Sequence, residues 1–502
     1  KISQETFDDV VKENMEDFEM DSKEALVDAI NQFTKQGVDM SSIDISGGIG
    51  RQEVLDAITE LNDCIEKKSG DVIASIEKLV ALCTKENEYH NRNRVFVMDK
   101  GGVNSLHLLL DPNQSEVVIK TASSFLEDLS KNNVDIRDFF EPGGCARLLV
   151  LLRKFSEPSN VNQDMLISML SLAKTVAKTE YNKSVGNFIT TFLIDHTKNY
   201  IQYANVLTEC CSLLRAMCIH DDLRKDMSCA YENGRFFLKQ ANLAQYLMRL
   251  SSYFTTHPNL ASSALSAAKN LIATEEAVAI MSQHGAITLI HDILSYSDSS
   301  VYLVRSCIGL MRNVCADDIR KDRLVSDGSL DLLINIMSQE NYAKDSSLME
   351  HAVACLAQIS LRSPNNALKI VNCGSALEIL AKTMRRYYDR SGLQRQGCLT
   401  VRNIAARGVE LRPLLLDTGK YWCFEDILRA AGRIQDVVDE AYAALRDLGC
   451  EVHYIKINAE GKAEPVYEQF GGNPGKLQFN PIYEEDERIL EKVQEEARAP
   501  FA

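Results

Sequence analysis

The sequence predicts an all-α repeat solenoid of about nine units, and length, composition and a pattern returning at a fixed interval predict it. At 502 residues the chain exceeds what one compact hydrophobic core usually organises, so it is either several domains or one repeating architecture. Hydrophobic residues make up 45% and charged residues 25%, with only 10 prolines and 25 glycines, which excludes a largely disordered, collagenous or low-complexity chain. A glycine followed by an apolar helical pattern stands at Gly102, Gly144, Gly285, Gly328 and Gly374. Gly285, Gly328, Gly374 and Gly419 are separated by 43, 46 and 45 residues.

A second anchor lies in a small, apolar helix after each glycine: SAAKNLIA, GLMRNVCA, ACLAQISL, LTVRNIAA and YAALRDLG align on one column. Followed through the chain, that column reads Ala81, Asp128, Lys174, Ala216, Asn270, Asn313, Gln358, Asn403 and Asp447. Successive separations are 47, 46, 42, 54, 43, 45, 45 and 44. Two independent columns with one period make nine repeats between Gly50 and Cys450.

In these motifs the units resemble armadillo repeats, over roughly four fifths of the chain. The resemblance implies a short helix, a second helix and a long third helix per unit. One such unit cannot hide its apolar faces alone, so neighbours are expected to stack into a right-handed superhelix over residues 50–452, with third helices lining the concave side. The ends of the stack would then need covering.

The opening residues 1–44 read as two amphipathic helices. Phe7, Val10, Val11, Met15 and Phe18 form one stripe, and Ala25, Leu26, Ala29, Ile30 and Phe33 the other. Asp21 and Glu24 have capping-box spacing for the second. With 4 Lys against 12 Asp plus Glu, this segment is acidic, and SSIDISGGIG follows as a linker. It is expected to be a docked cap; a mobile acidic helix that binds a partner, or folds back over the groove as a regulatory element, is the alternative. Residues 453–502 have the Gly, Pro and polar content of an irregular acidic tail, with a terminal helix expected at about 484–497.

Charge and cysteine usage bound the class of function. The net charge of −16 repels nucleic acid and anionic membranes at long range, so nucleic-acid binding is disfavoured. The longest aliphatic run, Leu148–Leu152, falls far short of the roughly 18 apolar residues a membrane-crossing helix needs. The opening stretch is acidic and amphipathic where a secretory signal would be basic and then apolar. Together with 14 cysteines placed mostly in apolar helical patterns, this leads us to expect a cytoplasmic protein, or one shared with the nucleus, with free buried thiols.

Motifs for catalysis were sought and none fits. GGNPGK at Gly471–Lys476 has Leu477 where a phosphate loop needs a magnesium-ligating Ser or Thr, and no strand precedes it. GGIG at Gly47–Gly50 fails the dinucleotide pattern because Glu53 stands at the third glycine's place. There is no C-x-x-C, H-E-x-x-H or G-x-S-x-G, and adjacent Cys210 and Cys211 read as packing residues. The expectation is therefore no enzyme, no cofactor, no metal and no small-molecule substrate.

The aligned column holds the candidate site. Asn270, Asn313, Gln358 and Asn403 form an unbroken run of carboxamides, which offer donor and acceptor together and so pair with the N–H and C=O of an extended peptide. The armadillo resemblance implies the same, since asparagines at this place hold peptide ligands in armadillo receptors. The alternative is structural: such an amide bridges to the backbone of the neighbouring repeat. Seven residues before the amides stand Ser263, Ser306, His351 and Gln396, and four before stand Ser266, Gly309, Ala354 and Leu399, a small or polar floor. Importin alpha has Trp four residues before its Asn; the single Trp here, Trp422, stands elsewhere, which argues against a receptor for lysine-rich signals.

Beside the amides lie Lys269, Arg305, Arg312, Arg395 and Arg402, a basic rim interrupted by Glu350. Residues 283–412 carry 16 Lys plus Arg against 13 Asp plus Glu, so charge is segregated within the acidic chain. The expected function is a protein-interaction scaffold binding an extended acidic segment of a protein partner in repeats five to eight. A nucleic-acid-binding helical repeat is the second class, and it would need aromatics that the column lacks.

Overall fold

A computed structural model describes the chain from Gln4 to Val466, apart from residues 19, 21, 37, 39–50, 68–69, 88, 141–142, 158–160, 184–200, 223, 225–226, 240–242, 273, 297, 417–422, 451, 453 and 458–462. The elements are helices, with one exception after the last repeat. They form two compact units, Lys1–Gly186 and Asn187–Ala502.

The first unit opens with a helical hairpin, Gln4–Asp17 and Ser22–Lys35, which has its own small core of Phe7, Val11, Ala25, Ala29 and Phe33. The Phe7 and Phe33 rings lie 5.8 Å apart. The apolar stripe read from the first helix is shorter than expected: Met15 and Phe18 are exposed, and Asn14 is buried in their stead. Asn14 suits that place because its Nδ2 donates to the carbonyl of Ala25 at 3.1 Å, tying the hairpin together. Asp21 of the expected capping box lies outside the described residues.

Three long helices then recur in this unit, Val72–Cys83, Glu116–Ser130 and Gln163–Val176, packed in sequence order and carrying Ala81, Asp128 and Lys174. Shorter helices precede the second and third, and the 17-residue helix Arg51–Lys67 precedes the first. Between neighbours, Ser123 and Ser168 share a hydroxyl hydrogen bond of 2.9 Å, 45 residues apart in sequence.

In the second unit the three-helix repeat is plain. Glu275–Gln283, Ala286–Ser295 and Val301–Val314 make one repeat; Asp318–Ser326, Ser329–Ser338 and Ser346–Ser360 the next; Pro364–Asn372, Ala376–Arg386 and Ser391–Arg407 the third. Ala230–Lys239, Leu243–Ser251 and Pro258–Leu271 precede them, and Phe424–Ala431 and Val438–Leu448 close the series. With Ala204–Met217, six third helices lie side by side in a row, and the second helices form another row behind them.

Local chemistry explains why the helices begin where they do. Thr274, Ser300, Asp317, Asp345 and Ser363 each accept a hydrogen bond from a backbone N–H in the first turn of the helix that follows. Gly285 and Gly328 join the first helix to the second at φ +92° and +84°, a left-handed turn that L-residues resist. In the second repeat that duty falls to Gly101, φ +82°, one residue before the glycine singled out from the pattern. Gly102 is instead pressed against Val97 and Ile58. Gly419 lies outside the described residues.

The core runs along the row through Leu303, Val304, Cys307, Met311, Ala352, Leu356 and Val401, all nearly inaccessible. All fourteen cysteines are free and ten are buried. Burial pushes the Cys211 thiol up to about 12, which keeps it protonated and packed as a small apolar group. The stretch from residue 453, read as irregular, contains an antiparallel hairpin of Tyr454–Ile457 and Ala463–Val466. The GGNPGK turn, Trp422 and the expected terminal helix lie outside the described residues.

Candidate functional site

Each column residue of the second unit falls near the end of a third helix, so Asn270, Asn313, Gln358 and Asn403 occupy equivalent places on successive helices of the row. All four are half-buried. Two of the amides bridge repeats. Asn313 Nδ2 donates to the carbonyl of Lys269 at 2.8 Å, and Asn403 Nδ2 donates to the carbonyl of Ala357 at 3.0 Å. The acceptor in both cases stands one residue before the column residue of the preceding repeat. Asn270 Nδ2 is buried with no hydrogen-bond partner.

The floor between these amides is small, as the spacing suggested. Gly309 and Ala354 are buried, and Ser306 exchanges hydroxyl hydrogen bonds with Ser262 at 2.9 Å and Ser266 at 3.0 Å. A Cβ placed on Gly309 would lie 2.9 Å from Lys269 Cδ and 3.4 Å from His351 Cδ2, so the lysine stem and the imidazole lean over the same gap. Glu350 leans towards the next repeat, where a Cβ on Gly392 would meet its Oε1 at 2.7 Å.

The basic rim divides into two kinds of residue. Arg305 pairs with Asp345 at 3.1 Å and sits 4.9 Å from the centre of the Tyr302 ring. Arg395 pairs with Glu440 at 3.0 Å and donates to the carbonyl of Asp436 at 2.6 Å; Arg402 pairs with Asp447 at 3.1 Å. These acids belong to the following repeat, so three of the five rim cations are neutralised inside the stack. Lys269 and Arg312 have no such partner among the described residues.

Electrostatics follow from that division. Burial lowers the pKa of Lys269, and the neighbouring charges of Arg215 and Arg312 lower it further. His351 is brought down to about 4 by burial and by Lys269, Arg312 and Arg305, with Asp345 opposing, so its imidazole is neutral at pH 7. Sequence reasoning placed His351 on this face but missed Arg215 as a member of the charged group. A signal for Arg215 was present, since it precedes Ala216 as Lys269 precedes Asn270, but repeat four lacked the amide that drew attention to its neighbours.

Among the described residues no three His, Cys, Asp or Glu side chains come together as a metal site.

Comparisons with known proteins agree with the repeat reading. Residues 1–46 match the family described as the armadillo repeat-containing protein 6 N-terminal domain. Over 386 residues the chain is 25% identical to the armadillo repeat-containing protein 6 homolog of Drosophila melanogaster, covering 74% of this chain and 80% of that relative. Armadillo repeat-containing protein 6 of Homo sapiens is 24% identical over 386 residues, 73% of this chain and 75% of that protein. Among solved structures, an engineered protein aligns with a TM-score of 0.46 at 17% identity, covering 80% of this chain and 100% of that one. A designed armadillo repeat protein aligns with a TM-score of 0.36 at 18% identity, covering 60% and 99%. The chain is an all-α helical-repeat protein similar, over about three quarters of its length, to armadillo repeat-containing protein 6.

Proposed function

We propose that this chain is a non-catalytic interaction scaffold of the cytosol or nucleus, and that the row of third helices in repeats five to eight receives an extended acidic segment of a protein partner. The observation that carries the reading is the common register of Asn270, Asn313, Gln358 and Asn403 over a floor of Gly309 and Ala354. The small residues at Gly309 and Ala354 keep the floor low, with the Lys269 stem and His351 lying over it. Amides at a constant interval then meet the N–H and C=O groups of a peptide backbone. Bridging by Asn313 and Asn403 uses one N–H of each amide and leaves Oδ1 and the second N–H for a ligand.

The opening hairpin fits this groove poorly as an extended occupant, because Gln4–Asp17 and Ser22–Lys35 are helices that spend their apolar faces on one another. Binding of short synthetic peptides by fluorescence anisotropy tests the reading. Acidic extended peptides should bind, more weakly as salt rises, and Lys269→Glu with Arg312→Glu should weaken them by about ten-fold or more. Equal binding of basic peptides, or acidic binding indifferent to both substitutions, overturns it.

A further inference from the structure

Within the row, the register that neutralises Arg402 can be followed back through the earlier repeats. Arg402 stands one residue before its column amide and meets Asp447, the column residue of the next repeat, at 3.1 Å. In the same register, the column residues that follow Arg215, Lys269 and Arg312 are Asn270, Asn313 and Gln358. A neutral amide stands in place of the carboxylate three times running. Among the described residues no carboxylate lies within ion-pair distance of Arg215, Lys269 or Arg312.

These three cations come from three successive helices, Ala204–Met217, Pro258–Leu271 and Val301–Val314. They hold equivalent places, one residue before the column, on helices packed in that order, and beside the middle one the missing side chain of Gly309 leaves room for the Lys269 stem and for His351. Three polar atoms of the same region are buried without hydrogen-bond partners: Asn270 Nδ2, Arg305 Nε and His351 Nδ1. The depressed pKa of Lys269 has Arg215 and Arg312 among its causes, so the like charges feel one another. Arg305, Arg395 and Arg402 each have a carboxylate partner. At Arg215, Lys269 and Arg312 one carboxylate would leave two cations unmatched.

We propose that Arg215, Lys269 and Arg312 form an oxyanion site that takes a phosphate monoester, carried on a phosphorylated side chain of the partner segment. Such a group bears about −1.5 to −2 charge at pH 7 and presents three acceptor oxygens. Two guanidinium forks and one ammonium match a tetrahedral dianion better than they match a planar monoanion. The proposal rests on the groove reading only for the carrier of the phosphate; the site itself is addressed by inorganic phosphate alone.

Calorimetric titration of the full chain with inorganic phosphate, and separately with an acidic peptide bearing serine, glutamate or phosphoserine at one position, tests it. Phosphate should bind the unaltered chain at constant ionic strength, and phosphoserine should improve peptide affinity by about ten-fold over serine. Lys269→Met with Arg312→Gln should abolish both effects, and Gln358→Glu, which gives Arg312 alone the carboxylate seen beside Arg402, should weaken both. Arg395→Gln should leave them intact. Folding is checked on the same variants by thermal melting, where Lys269→Met should not lower the midpoint because it relieves repulsion. Phosphate binding without peptide binding sustains the site and removes the groove as peptide receptor. Peptide binding that ignores phosphorylation, or phosphate binding unchanged in the variants, overturns the site.

Discussion

The side-chain amide of Asn403 donates to the carbonyl of Ala357 at 3.0 Å, across 46 residues of sequence, and so fastens one third helix to the one before it. Asn313 does the same to Lys269 across 44 residues. The column thus serves the stack as well as any ligand, and a substitution there is felt first as stability.

Asn403→Ala removes the partner of a carbonyl belonging to a buried residue, and should cost about 1–2 kcal/mol. Asn270→Ala should cost less, because its Nδ2 has no hydrogen-bond partner to lose. Urea denaturation of the two variants side by side measures the difference; equal losses would show that the bridge contributes nothing.

The left-handed turn at Gly328 predicts opposite signs for two alanine substitutions. Gly328→Ala forces φ +84° on an L-residue and should destabilise by about 1–2 kcal/mol. Gly234→Ala lies inside the helix Ala230–Lys239, where an added Cβ meets nothing within 4 Å, and should stabilise by about 0.5–1 kcal/mol. Thermal midpoints that move in the same direction would contradict this account.

Acid sensitivity should trace partly to His107. Its ring packs edge-on to Phe139 and Phe140, is buried with Nε2 unpartnered, and is held down to about 4 by burial and by Arg147. The unfolded chain takes up the proton near pH 6.5 while the folded chain resists it, so this contribution is complete above pH 6.5 and is lost as pH falls towards 4. The shift corresponds to on the order of 3 kcal/mol. His107→Leu should flatten the stability profile between those values; a profile as steep as that of the unaltered chain would exclude His107 as its source. Gly144→Ala should destabilise at every pH, since its Cβ would come within 2.5 Å of His107 Nε2.

Asp447→Asn should lower stability by about 1 kcal/mol or less, and by a smaller amount at high salt, because the Arg402 pair is partly exposed. The same change makes the last repeat resemble those at Arg215, Lys269 and Arg312. Chemical denaturation at low and high salt reads both effects.

Periodicity made the repeats legible, because a solenoid repeats its packing problem and answers it with the same residue types. Every column residue from Ala81 to Asp447 lies on a helix, and the half-buried positions Ser263, Ser306, His351 and Gln396 share a face that helical spacing gives alone. The opening stripe was misjudged at Met15 and Phe18. Whether a polar side chain such as Asn14 is buried depends on a partner from the other helix, here the carbonyl of Ala25.

Sequence by itself determined the architecture, the period and the face that carries the amides, since each follows from spacing along one helix and its recurrence. Only the tertiary structure decided which amides are engaged and which cations are matched. Asn313 and Asn403 find carbonyls, Arg305, Arg395 and Arg402 find acids, and Arg215, Lys269 and Arg312 stand without a carboxylate, because these pairings join residues of neighbouring repeats whose approach depends on how helices seat against one another.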